Sequence, residues 1–142
     1  MDKFCFVDHT ADIAIKVFGE SLRELFINAS AAWREIVVGD SEVDQKERKE
    51  FEINADSIEE LFVQFLSEIN FLFLVKHWIL GKTEFLSIKK ESKNWTLRAV
   101  LKGEPFQPEK HNIQEEIKAV TFHQLKIEKV NDKFQTVVVF DT

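Results

Sequence analysis

The sequence predicts an α+β fold in two layers, a largely antiparallel sheet of about six strands packed against two amphipathic helices. Two stretches carry apolar residues at helical spacing, and each begins with a capping motif. Most of the remaining chain alternates apolar and polar residues, as strands do. With 142 residues, 44% of them apolar, the chain can bury one core, and we expect a single domain over residues 1–142.

The chain opens with two short segments of strand periodicity. Lys3 to Asp8 and Asp12 to Phe18 both alternate in this way, and His9-Thr10-Ala11 between them predicts a bend or bulge. Gly19 is expected to stop the second strand. This arrangement places a cluster of polar groups between two apolar segments. Burying such groups costs free energy unless they form hydrogen bonds or serve a function.

Two helices and one strand are predicted next. Ser21 to Glu24 reads as a capping box, and the apolar stripe that follows it ends at Gly39. Arg48 to Ala55 alternates Phe and Ile with polar residues, as a strand with one wet face does. Asp56 to Glu60 is a second capping box. The helical pattern that follows it weakens by about Lys76, and we expect the region to end at Gly81.

The second half of the chain is predicted to be strand and loop. Lys82–Lys90 and Trp95–Leu101 form a hairpin. The segment Gly103–Asn112 holds both prolines and is the one long loop. Ile117–Val130 is predicted as a long strand bent near His123. Phe134–Phe140 is predicted as a central strand, because its apolar run is almost unbroken.

Charge and cysteine content narrow the possible functions. The net charge of −6 argues against stable nucleic-acid binding, which usually shows as a basic domain. Cys5 is the only cysteine, so neither an internal disulfide nor a thiolate-rich zinc site can form. No apolar run is long enough to span a membrane, and acidic residues interrupt any secretory signal pattern. We therefore expect a cytoplasmic protein with no membrane partner.

The strongest candidate site joins the two ends of the chain. If the last strand lies beside the first pair of strands, Asp12 meets the Asp141 carboxylate and the oxygens of Thr142. Oxygen donors of this kind repel one another unless a cation neutralises them, and they suit Ca²⁺ or Mg²⁺. The alternative interpretation is a solvated strand end beside a turn aspartate. Asp8 is about 13 Å from Asp12 in an extended strand, so it could share the ion only across a bend.

Five further side chains are weaker candidates. His9 could be a ligand, a base or a hydrogen-bonding partner of a neighbouring aspartate. Lys118 either extends to water or directs its charge at the acidic cluster or at a phosphate of a partner. His111 and His123 read most simply as solvated loop and strand residues, and Cys5 as a small core residue. The sequence has no Gly-rich phosphate loop and no nucleophile elbow.

Three motifs resemble those of the archease family. They are Asp8-His9-Thr10-Ala11-Asp12-Ile13 near the start, Glu116 to His123 late in the chain, and the ending Val139-Phe140-Asp141-Thr142. The two helices and the loop before Lys118 also fall where that family has them. The resemblance covers essentially the whole chain.

The resemblance implies an accessory protein, not an enzyme. Its partner would be a GTP-dependent RNA ligase of the RtcB type, whose guanylylation and multiple turnover it promotes in tRNA splicing or RNA repair. It also implies a divalent cation, Ca²⁺ or Mg²⁺, held by Asp12, Asp141 and Thr142, and a role for Lys118 in activation. Two positions depart from the family pattern, since Thr142 stands where Ile is usual and Phe122 where Tyr is usual.

Two other functions stay open on the sequence. One is a stand-alone metal-dependent phosphohydrolase in which Asp8 or His9 acts as the base. The other is a chaperone-like interaction module without a metal.

Overall fold

The computed structural model describes residues 3–7 and 12–142, and it confirms the predicted α+β class. The described chain runs in the order β1 (Phe4–Val7), β2 (Ile13–Gly19), α1 (Leu22–Val38), β3 (Glu47–Ala55), α2 (Ile58–Leu74), β4 (Trp78–Glu91), β5 (Asn94–Pro105), β6 (Ala119–Val120), β7 (Glu128–Val130) and β8 (Lys133–Asp141). Within these ranges, neither helix has the length and apolar content that crossing a membrane requires.

The strands form two hydrogen-bonded sheets where the sequence predicted one. The first has the order β1-β2-β8-β6, with β7 also paired to β8, and the second has the order β3-β5-β4. All pairings between the described strands are antiparallel. The most apolar strand, β8, lies between β2 on one side and β6 and β7 on the other, which confirms the prediction of a central strand.

Both helices begin as their capping motifs predict. The Ser21 hydroxyl accepts a hydrogen bond from the Glu24 N–H at 3.0 Å, and the Ser57 hydroxyl accepts one from the Glu60 N–H at 3.1 Å. These bonds satisfy main-chain donors that the first turn of a helix leaves free. The first helix ends at Gly39, whose φ of +53° is easily adopted only by a residue without a side chain.

The core lies where the helices meet each other and both sheets. The rings of Phe26 and Phe62 join the two helices edge to face, with centroids 5.1 Å apart. The first helix packs against β2 and β4, and the second against β3, β4 and β5. On the first sheet, the core-facing side chains include Ile15, Val138 and Phe140, which are fully buried. This packing fixes β2 and β8 as one rigid pair.

The predicted end of the helical region at Gly81 is wrong. The second helix ends at Leu74, and β4 already begins at Trp78, so Gly81 lies inside a strand. The pairing with β5 is irregular between Leu80 and Lys82. A β-carbon on Gly81 would approach the Lys102 main-chain oxygen to 3.1 Å. The glycine therefore allows a local bulge and does not terminate an element.

The predicted loop from Gly103 begins later than expected. Gly103 to Pro105 continue β5, and the irregular segment starts only after them. A β-carbon on Gly103 would collide with the Ile79 main-chain oxygen of the neighbouring strand. This glycine is needed because two backbones approach closely here, and it does not indicate the start of a loop.

The predicted strand Ile117–Val130 is not continuous, and its interruption lies at the bend expected near His123. Only β6 and β7 are strands, and a turn separates them in which the Leu125 N–H donates to the Phe122 carbonyl at 3.0 Å. Gln124 adopts a φ of +52°. A left-handed residue cannot continue an extended strand, so the strand is interrupted here. Because β6 and β7 both pair antiparallel with β8, they run in the same direction along one edge of β8 on either side of the turn.

Cys5 is exposed, so its predicted place in the core is wrong. It pairs with Lys16 in the neighbouring strand, whereas Phe4 pairs with the buried Val17. Because side chains alternate across a strand, Cys5 lies on the outer face of the first sheet.

Candidate functional site

Asp12 and Asp141 lie at the same end of two paired strands. The register of β2 with β8 places Ile13 directly opposite Phe140, so Asp12 and Asp141 are the next residues on each strand. On the other side of β8, Ala119 lies opposite Asp141. Residues that face each other across antiparallel strands present their side chains on one face, with Cα atoms about 5 Å apart.

A surface depression of about 420 Å³ opens at this point. Its lining residues come from the end of β2, the turn after β6, and β8, and they are Asp12, Thr121, His123, Val139 and Asp141. The two carboxylates and the imidazole are its ionisable groups among the residues described.

Main-chain hydrogen bonds fix the wall of this depression. The Lys118 N–H donates to the Asp141 carbonyl at 2.7 Å. The Val139 carbonyl accepts from both the N–H and the hydroxyl of Thr121, at 3.1 and 3.0 Å. These bonds hold the short strand β6 against β8. Two ladder pairs alone would give this pairing little stability.

A buried asparagine positions the segment that carries Lys118. The Asn70 amide oxygen accepts from the Trp33 indole N–H at 2.9 Å, and its NH₂ group donates to the Ile117 carbonyl at 2.7 Å. Asn70 is 5% exposed, and Trp33 and Ile117 are fully buried. Both helices are thereby connected to the residue immediately before Lys118.

The two aspartates have no basic partner among the residues described. Asp12 is half-buried and Asp141 is exposed, and neither forms an ion pair with a residue in the described ranges. Like charges placed directly opposite each other in a sheet destabilise it. A hard divalent cation would remove this repulsion, and carboxylate oxygens are the donors that it prefers. The donor set therefore fits Ca²⁺ or Mg²⁺.

The described side chains supply only part of a coordination sphere. Within residues 3–7 and 12–142, no three His, Cys, Asp or Glu side chains come together as ligands. The remaining donors of a cation would be main-chain oxygens or water, which both Ca²⁺ and Mg²⁺ accept.

The structure brings some predicted residues together and leaves others apart. Thr142 follows Asp141 and is half-buried, but it is not among the residues that line the depression. The Lys118 side chain is exposed and pairs with no acid in the described part of the chain. Asp8 and His9 lie outside the described residues. His123 lies in the turn and is solvated as predicted, yet it faces the depression.

Comparison with known proteins decides the family. The profile of the Archease protein family (MTH1598/TM1083) matches residues 4–142. The chain belongs to the archease family. Relatives named archease include one from Methanosarcina acetivorans, 34% identical over 139 residues, which cover 98% of this chain and 95% of that protein. Another, from Pyrococcus abyssi, is 37% identical over 125 residues, 88% of this chain and 87% of that protein.

Solved archease structures share the fold. The solution structure of protein 1598 from Methanobacterium thermoautotrophicum superposes with a TM-score of 0.85 at 28% identity, and each chain is covered completely. An archease from Thermotoga maritima, described as a possible chaperone, gives a TM-score of 0.54 at 29% identity, with 96% of this chain and 94% of that chain covered.

In this archease-family chain, sequence reasoning missed a buried ionic cluster. His111 was expected in solvent, but it is 2% exposed and its Nε2 lies 3.0 Å from Glu104 Oε2. Lys110 Nζ lies 2.8 Å from the same oxygen and 2.9 Å from Asp44 Oδ2. The Gln107 N–H donates to His111 Nδ1 at 2.9 Å. Because Nδ1 accepts this bond, the ring proton lies on Nε2 and is donated to Glu104.

The cluster keeps Glu104 ionised inside the protein. Burial acts to raise the pKa of Glu104, but hydrogen bonds from Lys110, the Asp44 N–H and His111 outweigh it and lower the pKa from 4.5 to about 2. Hydrogen bonds to Glu104 and Asp44 in turn raise the pKa of Lys110. The cluster ties the end of β5 to the segments before β3 and before β6. No local pattern signals it, because Asp44 and Lys110 are 66 residues apart.

Proposed function

We propose that this chain is a metal-dependent activator of a GTP-dependent RNA ligase of the RtcB type. It would promote ligase guanylylation and multiple turnover in tRNA splicing or RNA repair, without being an enzyme itself. Membership of the archease family and the motif resemblance support the partner. The observation that carries the site is the pair of opposed carboxylates, Asp12 and Asp141, which has no basic partner among the described residues.

The metal ligands in this proposal are Asp12, Asp141 and main-chain oxygens of Thr142. The fit rests on the donor type and on the repulsion that a cation would relieve. When bound, the ion supplies a positive charge that can attract phosphate oxygens of a nucleotide on the ligase. The chain itself contributes the rigid β2–β8 pair that fixes the spacing of the carboxylates.

Lys118 is the second element of the proposal. Its main-chain N–H donates to the Asp141 carbonyl, and its side chain is exposed. Asn70 fixes the residue before it through the Ile117 carbonyl. A lysine fixed at its backbone and free at its ammonium group suits contact with an acidic or phosphate group of a partner.

The chemistry of the depression supports an accessory role. Among the described residues that line the depression, only Thr121 has a hydroxyl, and that hydroxyl donates to the Val139 carbonyl. Within the described part of the chain, this hydroxyl forms no hydrogen bond to a carboxylate or an imidazole, the groups that would activate it as a nucleophile. A stand-alone phosphohydrolase would need such a group or an activated water. Hydrolysis of nucleotide by the purified chain alone would favour that alternative.

Ligase guanylylation tests the proposal directly. The purified chain, its Asp12→Ala and Asp141→Ala variants, and a control variant are each added to the ligase with GTP. The control is Asp132→Asn on an exposed turn, because Asn tolerates the positive φ of that position. We expect stimulation by the wild type and the control, and ligase-alone rates with both site variants. Circular dichroism should show that all variants fold. Full stimulation by both site variants would refute the proposed site.

A chaperone role is the second candidate, because the Thermotoga maritima relative is described as a possible chaperone. Phe6 and Phe122 expose 61% and 55% of their surface here, which gives an unfolded client apolar contacts. Suppression of client aggregation that is lost on Phe122→Ser, but not on Asp141→Ala, would favour this role over metal-dependent activation.

A further inference from the structure

The second sheet has one face that the helices do not cover. Along β5, Leu97, Ala99 and Leu101 belong to the buried core. The alternate residues, such as Arg98 and Lys102, therefore lie on the opposite face. We call this the open face and define it by four cross-strand rows. From β4 through β5 to β3 they are Lys82-Lys102-Arg48, Phe85-Val100-Glu50, Ser87-Arg98-Glu52 and Lys89-Thr96-Asn54.

The first row of the open face contains only cations. Lys82 lies directly opposite Lys102, which lies directly opposite Arg48. Arg48 pairs with Glu50 at 3.3 Å, but neither lysine forms an ion pair with any residue in the described ranges. Like charges in direct cross-strand contact reduce sheet stability. An anionic ligand across this row would remove that cost.

The second row adds an exposed aromatic ring. Phe85 is 47% exposed and lies opposite Val100, which is 7% exposed. Both line a shallow groove of about 280 Å³, whose charged lining residues are Arg98, Glu50 and Glu52. The ring is thus flanked by a cationic row on one side and by Arg98 on the other. A base can stack on an aromatic ring of an open sheet while cations hold the phosphates beside it.

We propose that the open face binds a single-stranded polynucleotide. Lys82, Lys102 and Arg98 contact its phosphates, and Phe85 stacks on a base. The net charge of −6 describes the whole chain, whereas the open face has five cations against Glu50 and Glu52. A negatively charged protein can still hold such a ligand on a locally basic surface. This inference does not rest on the proposed ligase activation, because the open face and the Asp12–Asp141 site lie on different sheets.

Fluorescence anisotropy with labelled oligo(U) and oligo(dT) at low ionic strength tests the proposal. The variants are Lys82→Ala with Lys102→Ala, Phe85→Ala, and a Lys126→Ala with Lys129→Ala control near β7. The double open-face variant should weaken binding at least tenfold. It should also reduce the magnitude of the slope of log binding constant against log salt concentration by about 1.4. Each of the two lost phosphate contacts lowers this slope by about 0.7 on single strands.

Phe85→Ala should weaken binding about 5- to 150-fold with an unchanged salt slope, because it removes stacking and no charge. Lys82→Arg with Lys102→Arg should restore binding. The control variant should bind like the wild type. Tighter binding of oligo(U) than of oligo(dT) would identify RNA as the ligand, and equal binding would identify single strands of either sugar.

Three results would overturn the proposal. They are no binding of either oligonucleotide by the wild type, binding that the double open-face variant leaves unchanged, and an unchanged affinity in Phe85→Ala. Equal binding of a polyglutamate peptide, lost in the same double variant, would also overturn it by assigning the open face to an acidic protein.

Discussion

Replacing Glu104 with Gln tests the buried ionic cluster most sharply. The change keeps the size of the side chain but removes a charge whose oxygens contact Lys110, His111 and the Asp44 N–H at 2.7 to 3.0 Å. Removing one partner of a buried ion pair costs about 3–5 kcal/mol. The Lys110 side chain is 25% exposed and keeps Asp44 at 2.9 Å, so we expect a smaller loss of about 2–3 kcal/mol in the free energy of unfolding.

This loss converts into a measurable change in melting temperature. Unfolding entropy is about 2.1 cal/mol/K per residue, or about 0.3 kcal/mol/K for 142 residues. A loss of about 2–3 kcal/mol therefore predicts a decrease of about 7–10 °C in Tm. The assay is thermal unfolding followed by circular dichroism at neutral pH. The control is Glu109→Gln, at an exposed position in the loop that follows β5.

The pH dependence gives a second readout for the same variant. The pKa of Glu104 is lowered on folding, from 4.5 to about 2. Its ionised form therefore stabilises the native state above pH 4.5, and this contribution is lost as the pH falls toward 2. The stability difference between the wild type and Glu104→Gln should shrink over that range. An unchanged Tm, or a difference that is constant with pH, would refute the reasoning.

Two further predictions concern the support and the edge of the candidate site. Asn70→Ala leaves the Trp33 indole N–H and the Ile117 carbonyl unpaired in the core, and we expect chemical denaturation to show a loss of about 3 kcal/mol. A loss below about 1 kcal/mol would contradict the proposed positioning role. Lys118→Ala changes an exposed side chain, so its Tm should stay within about 2 °C of the wild type while ligase stimulation falls. Unchanged stimulation would remove Lys118 from the proposal.

The parts of the fold that depend on contacts between residues close together in the sequence could be predicted. Ser21 and Ser57 cap their helices through bonds to residues three positions away, so the pattern and the structure coincide. The turn around Gln124 is predicted only as a bend near His123, because the residues on either side of it have a strand pattern. There, the left-handed conformation overrides the residue pattern.

The candidate site also has one part that the sequence predicts and one part that it does not. The pairing of β2 with β8 follows from two apolar strands that need partners, so the meeting of Asp12 with Asp141 could be anticipated. The burial of His111 could not, because it depends on Glu104 and on the distant Asp44. Exposure of Cys5 likewise depends on which face of β1 meets the core. The ligand roles of Asp12, Asp141 and Thr142 stay predictions.

Calorimetric titration of the chain with Ca²⁺ and with Mg²⁺ tests the central claim most directly. The claim is that Asp12 and Asp141 are opposed in order to hold one divalent cation. We expect one site per chain in the wild type and in Asp132→Asn, and no binding in Asp12→Asn or Asp141→Asn. Absence of binding to the wild type, or equal binding to both site variants, would contradict the claim.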